Sequence, residues 1–101
     1  MKYALIFTQL ASDDLTDVLG WYKSRGISEL DKRFIASISK VLQRIEIKPE
    51  LYPIVYKKFR RALLDTFPYK IIYFVDDLNK QVHIIAVVHQ SREPKKWQKR
   101  I

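Results

Sequence analysis

Two clusters of cations and rings carry the chemistry this chain could do. The first lies in and just before Phe59–Val75, read as FRRALLDTFPYKIIYFV, and holds Lys58, Arg60, Arg61 and Lys70. The second follows at His89, Arg92 and Trp97. Guanidinium and ammonium groups bind phosphate or carboxylate through charge-assisted hydrogen bonds. An imidazole, with a reference pKa of about 6.5, can take or give a proton near neutrality. Metal-free acid–base cleavage of a phosphate ester needs a base, positive charge on the phosphate and an acid for the leaving oxygen. For such a metal-free cleavage the candidates are Lys70, His89, Arg92 and Arg61. For a purely binding surface they are Arg60, Arg61, Lys58, Lys70, Arg92 and Trp97. The expectation is that two strands and the tail gather these groups on one surface.

Plainer roles stand beside each. Arg60 and Arg61 are adjacent in a strand and point to opposite faces, so only one can meet a given partner. The other can pair with Asp65 or a helix aspartate. His89 can be a satisfied strand-end residue, and Arg92 can brace the tail. Trp97 reads better as a packing anchor than as a platform for a base. His83, Tyr69 and Tyr73 read as sheet and core residues, and Lys95, Lys96 and Lys99 as a solvated face. Two histidines and no cysteine argue against a zinc site, and no cofactor is expected.

The 101 residues suffice for one modest core, so a single domain over 1–101 is expected. Hydrophobic residues at 48% and aromatics at 13% argue against disorder. Residues 1–50 carry eight Lys/Arg against seven Asp/Glu, and residues 51–101 carry eleven against four. The excess of +8 therefore sits almost wholly in the second half, which favours an acidic partner, nucleic acid or protein. The bland alternative is a soluble protein with many surface lysines. The apolar start, Tyr3 to Phe7, is too short for a signal peptide, and no apolar run reaches about 18 residues. A cytoplasmic protein without membrane contact is expected.

Hydrophobic period supplies the scaffold. Lys2–Phe7 reads as a strand, and Thr8 as the N-cap of a helix over Gln9–Ser24 with Ala11, Leu15, Val18 and Tyr22 inward. Asp13, Asp14 and Asp17 fall early in that helix, where acids favour its dipole, and Gly26 ends it. Ser28-Glu29-Leu30-Asp31 resembles a capping box. It opens a second helix to about Lys48, stopped by Pro49. Leu51–Tyr56 reads as a connector. Strands follow from about Val55 to Leu64, Lys70 to Val75 and Gln81 to Val88, with corners at Phe67-Pro68 and Asp76–Asn79. Pro94 opens a short helix ending near Ile101. The predicted class is α+β: an N-terminal strand, an antiparallel two-helix hairpin, a three-stranded antiparallel meander and a C-terminal helix, in a two-layer sandwich.

The run RRALLDTFPYKIIYFV, followed by IIAVVHQSREPKKW, resembles the RelE/ParE superfamily of bacterial type II toxins, of plasmid-stabilisation type. The resemblance rests on Arg60, Arg61, Leu64, Phe67, Pro68, Tyr69, Tyr73, His89, Arg92, Pro94 and Trp97, with Ala11–Leu15 and Trp21-Tyr22 upstream, and covers nearly the whole chain. It implies a growth-inhibiting toxin neutralised by a cognate antitoxin, as a homodimer or a toxin–antitoxin hetero-oligomer. RelE-like members cleave mRNA on the ribosome; ParE-like members poison DNA gyrase. RelE-like nucleases carry an arginine after the corner tyrosine, another beyond the last strand and a tyrosine in the tail. Here Lys70 follows Tyr69, Gln90 falls near the second position and Trp97 near the third. Lysine lacks the bidentate fork, and tryptophan cannot donate a proton in catalysis as tyrosine can. The resemblance thus points to the ParE side, and away from an enzyme. A metal-independent endoribonuclease and a non-toxic basic binding module are the alternatives.

Overall fold

The computed structural model describes residues 2–101; Met1, the first residue of the expected domain, lies outside them. Strand β1 (Ala4–Phe7) leads into helix α1 (Gln9–Ser24) and helix α2 (Leu30–Ile47). One 3-10 turn, Pro49–Leu51, precedes strands β2 (Ile54–Tyr56), β3 (Phe59–Leu63), β4 (Tyr69–Asp76) and β5 (Gln81–His89), and helix α3 (Pro94–Gln98) closes the chain.

The strands form one sheet in the order β1-β5-β4-β3-β2. The expected meander is β3-β4-β5, antiparallel throughout. Two additions correct the expected layout. Strand β1 joins the same sheet, parallel to β5. The segment read as a connector supplies the edge strand β2. Pro53 has no N–H to give a ladder, but its carbonyl accepts from the Arg61 N–H at 3.1 Å. Lys57 then takes a left-handed φ of 50°, which turns the chain straight back into β3.

Helix α1 starts where expected: the Thr8 hydroxyl accepts from the Ala11 N–H at 3.2 Å. It stops as Gly26 takes a φ of 69°. The capping box at α2 does not form. Glu29 occupies the N-cap position with a left-handed φ of 62° and makes no side-chain cap bond, so Ser28 falls outside the first turn. Helix α3 ends at Gln98, short of Ile101.

The main core lies between the α1–α2 hairpin and one sheet face. Phe34, Val41, Ile45, Ile71, Tyr73, Val82 and Ile84 are fully buried there. The Tyr73 hydroxyl donates to the Pro49 carbonyl at 2.6 Å, tying the sheet to the 3-10 turn. The opposite face is not bare. Trp97 of α3 packs with Phe59, Ile72, Ile85, Ala86 and Val88 in a second, smaller core. The sheet centre is therefore covered on both sides, as the almost unbroken apolar run of β5 requires.

β1 ends opposite Ile84, leaving the outer half of β5 without a strand on that side. A register shift between Ile72 and Tyr73 opposes Ile85 to no residue of β4, a bulge that leaves the Ile85 carbonyl and the Val87 N–H at the open edge. Side chains then satisfy this backbone. Asp14 accepts from the Val87 N–H at 3.0 Å. Arg100 meets Asp14 with two bonds, at 2.6 and 3.0 Å, and donates to the Ile85 carbonyl at 2.9 Å. Both side chains are largely buried, 15% exposed for Arg100 and 13% for Asp14. Removing one partner of a buried pair leaves an uncompensated charge, which costs roughly 3–5 kcal/mol. Asp14→Ala is accordingly expected to lower urea stability by about that amount, and Asp14→Leu combined with Arg100→Met by clearly less. A single variant within about 0.5 kcal/mol of wild type would contradict the clamp.

Candidate functional site

The candidate residues do not share one surface. Alternation along β3 puts Phe59 and Arg61 toward α3, and Arg60 and Ala62 toward the helical hairpin. In β4, Lys70 shares the α3 side with Ile72 and Phe74, while Tyr69 and Tyr73 face the hairpin. The expected single basic patch therefore divides into three places.

Arg60 holds the chain itself together. Its Nη1 donates to the carbonyls of Glu50, at 3.2 Å, and Tyr52, at 2.7 Å, and so fastens the 3-10 turn to the sheet. Lys58 is exposed, with its ammonium 4.2 Å from the centre of the Phe74 ring. Trp97 is 2% exposed and sits edge-on to Tyr56 at 5.9 Å, the geometry of a packing anchor. Its indole N–H has no partner.

Arg61 and Lys70 form a true pair. Arg61 lies opposite Ile72, and Lys70 is two residues earlier on the same face, so the two are diagonal neighbours. Lys70 is 7% exposed and has only a long bond, 3.4 Å, to the Gln90 carbonyl. The Arg61 Nε is buried without a partner. No salt bridge reaches either side chain among the described residues. Burial, and then the neighbouring Arg61, lower the Lys70 pKa from its ordinary value. Among the described residues neither cation is neutralised by an acid, and groups of this kind bind anions through charge-assisted hydrogen bonds.

His89 and Arg92 lie elsewhere. His89 pairs across the sheet with Tyr69, their rings 5.4 Å apart, on the hairpin side. Its Nδ1 accepts from the Ser91 N–H at 3.1 Å. With Arg92, Tyr69 and the α1 residues Asp17, Val18 and Trp21 it lines a cavity of about 250 Å³. The candidate base and the buried cation pair therefore stand on opposite faces of one sheet. Among the described residues no cluster of three His, Asp or Glu side chains is placed to hold a metal.

Residues 5–94 match the family described as ParE toxin of type II toxin-antitoxin system, parDE. The chain belongs to the ParE toxin family. Among curated relatives, Toxin ParE2 of Mycobacterium tuberculosis is 26% identical over 82 residues, covering 81% of this chain and 76% of the relative. Solved structures share the fold. A chain of the chromosomal ParDE system from P. aeruginosa superposes with a TM-score of 0.73 at 16% identity, covering 87% of this chain and 96% of its own. A variant of E. coli toxin RelE in the free state superposes at 0.68 with 19% identity, covering 100% and 99%. The M. tuberculosis toxin-antitoxin complex RelBE2 gives 0.62 at 19%, covering 88% and 99%. The toxin family is thus the one the sequence motifs resemble, and both branches of the superfamily lie among its structural neighbours.

Sequence reasoning missed the role of Asp14 and did not place Asp17 and Trp21 beside a cavity. Asp14 was legible: it stands between Ala11 and Val18 at spacings of three and four, on the buried stripe of α1, where a carboxylate must find a partner.

Lys70 offers a measurable consequence of its crowding. Because its folded pKa is lowered, the unfolded chain binds more protons in the window between the lowered value and the ordinary one. Stability therefore rises with pH through that window. Lys70→Met lacks this term. The stability difference between Lys70→Met and wild type, read from urea midpoints, is expected to favour the variant at neutral pH and to shrink as pH rises toward about 10. A difference independent of pH would show that the ammonium is not strained.

Proposed function

We propose that this ParE-family toxin acts on DNA gyrase rather than by cutting ribosome-bound mRNA. The observation that carries the reading is the separation of the site. RNA cleavage needs the phosphate-binding cations and the proton-transfer groups around one scissile bond. Here Arg61 and Lys70 face α3, whereas His89 faces the hairpin. Near the cations the tail offers Trp97, which is buried and cannot give up a proton in catalysis. Blocking a protein target asks only for a complementary surface, and the unpaired cations supply an anchor for an acidic side chain of that target.

A cognate antitoxin holds the activity silent in the cell, in the cytoplasm where gyrase works. The P. aeruginosa ParDE system and the RelBE2 complex are toxin–antitoxin assemblies, which supports a partner of that kind for this chain, in a hetero-oligomer. The half-exposed Ile27 and Ile35 at the hairpin give an amphipathic helix an apolar surface to cover.

A second reading rests on Lys70. An ammonium whose pKa is lowered by burial beside another cation is the kind of group nucleases tune for proton transfer. The RelE-like alternative would use it as acid or base.

Purified protein is expected to inhibit supercoiling of relaxed plasmid by gyrase, and Arg61→Ala is expected to weaken that inhibition about tenfold or more through loss of a charge-assisted bond. Unimpaired supercoiling at saturating toxin would overturn the proposal.

A further inference from the structure

Lys70 and Arg61 together have a reactivity that binding alone does not use. The Lys70 stem lies between apolar neighbours, Leu63 across the β3–β4 ladder and Val88 across the β4–β5 ladder. Its ammonium makes one long bond, 3.4 Å, to the carbonyl of Gln90, a residue exposed at the turn after β5. Leu63 is exposed as well. The stem is therefore buried while the amine ends at the rim of the sheet, within reach of a solute. Arg61 approaches from the diagonal position. Its Nε is buried without a partner. Among the described residues no hydrogen bond or ion pair engages its two Nη atoms, and neither of them is buried, so that end of the guanidinium meets solvent.

An ammonium held among apolar side chains and beside a second cation gives up its proton more readily than one in water. Lys70 shifts in that direction, first through burial and then through Arg61. The neutral amine is a nucleophile, and desolvation or a neighbouring cation is a way of activating it. The open end of a guanidinium holds phosphate oxygens in a fork. A nucleophilic amine next to such a fork matches one class of reagent, an acyl group activated by phosphate.

We propose that Lys70 is a site of acylation by acyl phosphates. Arg61 takes the phosphate of the reagent on its Nη atoms, and the neutral Lys70 amine attacks the adjacent carbonyl carbon. A bond forms between Nζ and that carbon, and the bond from the carbon to the phosphate oxygen breaks. Inorganic phosphate leaves with the electron pair and takes up the proton that the amine releases. The product is an amide, and nothing is oxidised or reduced. The amide carries no charge, which leaves Arg61 as the single cation of the pair. A weaker hold on gyrase as the consequence rests on the function proposed above; the acylation itself does not.

The test exposes the whole folded protein to acetyl phosphate and follows each lysine by mass spectrometry of its peptides. The exposed Lys95, Lys96 and Lys99 of the tail serve as internal references. Lys70 is expected to acetylate about tenfold faster than these three, the factor that one unit of pKa gives in neutral amine. Arg61→Met also lets the Lys70 pKa rise, which slows reaction with any acyl donor. A second reagent without phosphate, the N-hydroxysuccinimide ester of acetic acid, separates the two effects. Arg61→Met should slow acetyl phosphate at Lys70 about tenfold more than it slows the ester, through loss of the charge-assisted bonds, and Arg61→Lys should recover part of that difference. Inorganic phosphate should slow the reaction at wild-type Lys70 and leave the tail lysines unaffected, which reads the same contact without any variant. A Lys70 rate no greater than that of the tail lysines overturns the proposal. So does an Arg61→Met effect equal for the two reagents, or indifference of Lys70 to inorganic phosphate. None of these readouts involves gyrase, so a failure here is distinct from a failure of the proposed target.

Discussion

The outer edge of β5 is the constraint on which the rest depends. A buried strand end cannot leave its N–H and C=O groups bare, because each unmet group costs on the order of 1–3 kcal/mol. β1 is too short to serve the last five residues of β5, and the bulge at Ile85 turns two of their polar groups outward. The chain answers with side chains from its two ends: Asp14 from the first helix and Arg100 from the tail. The same bonds draw the tail across the sheet, so that Trp97 comes down on the face opposite the hairpin.

That placement determines what each basic residue can do. With α3 on one face and the hairpin on the other, alternation along β3 and β4 sends neighbouring residues to different environments. Arg60 is drawn into fastening the 3-10 turn. Arg61 and Lys70 remain under the tail side with no acid to answer them. His89 and Arg92 are left at the hairpin edge, around a cavity beside α1. Under the proposed function this separation serves recognition of a protein target rather than concerted proton transfer at one phosphate. It leaves the basic residues of this ParE-family toxin in separate places within one small domain.

Much of the scaffold was legible in the sequence. The period of 3.6 located α1 and α2 within a residue or two, and Thr8 and Gly26 marked the ends of the first helix. The β3-β4-β5 order followed from alternation and turn residues. The family motifs, from Arg60 to Trp97, pointed to the toxin family that residues 5–94 match. Local signals failed where distant contacts decide. Pro53 hid the strand behind it. Ser28 looked like a cap until the backbone of Glu29 went left-handed. No local pattern reports that residue 14 will meet residue 100. Nor does the adjacency of cations in sequence report adjacency in space: Arg60 and Arg61 are neighbours along the chain and part company across the sheet, whereas Arg61 and Lys70 converge.

In the proposed function, the candidate groups for RNA cleavage are held apart and the toxin cuts no mRNA. Mapping mRNA 5′ ends at nucleotide resolution in cells expressing the toxin without an antitoxin tests it most directly. Growth arrest with 5′ ends indistinguishable from those of uninduced cells is the result this account requires. New 5′ ends clustered within codons at the ribosomal A site would contradict it, and would place Lys70 in a nuclease after all.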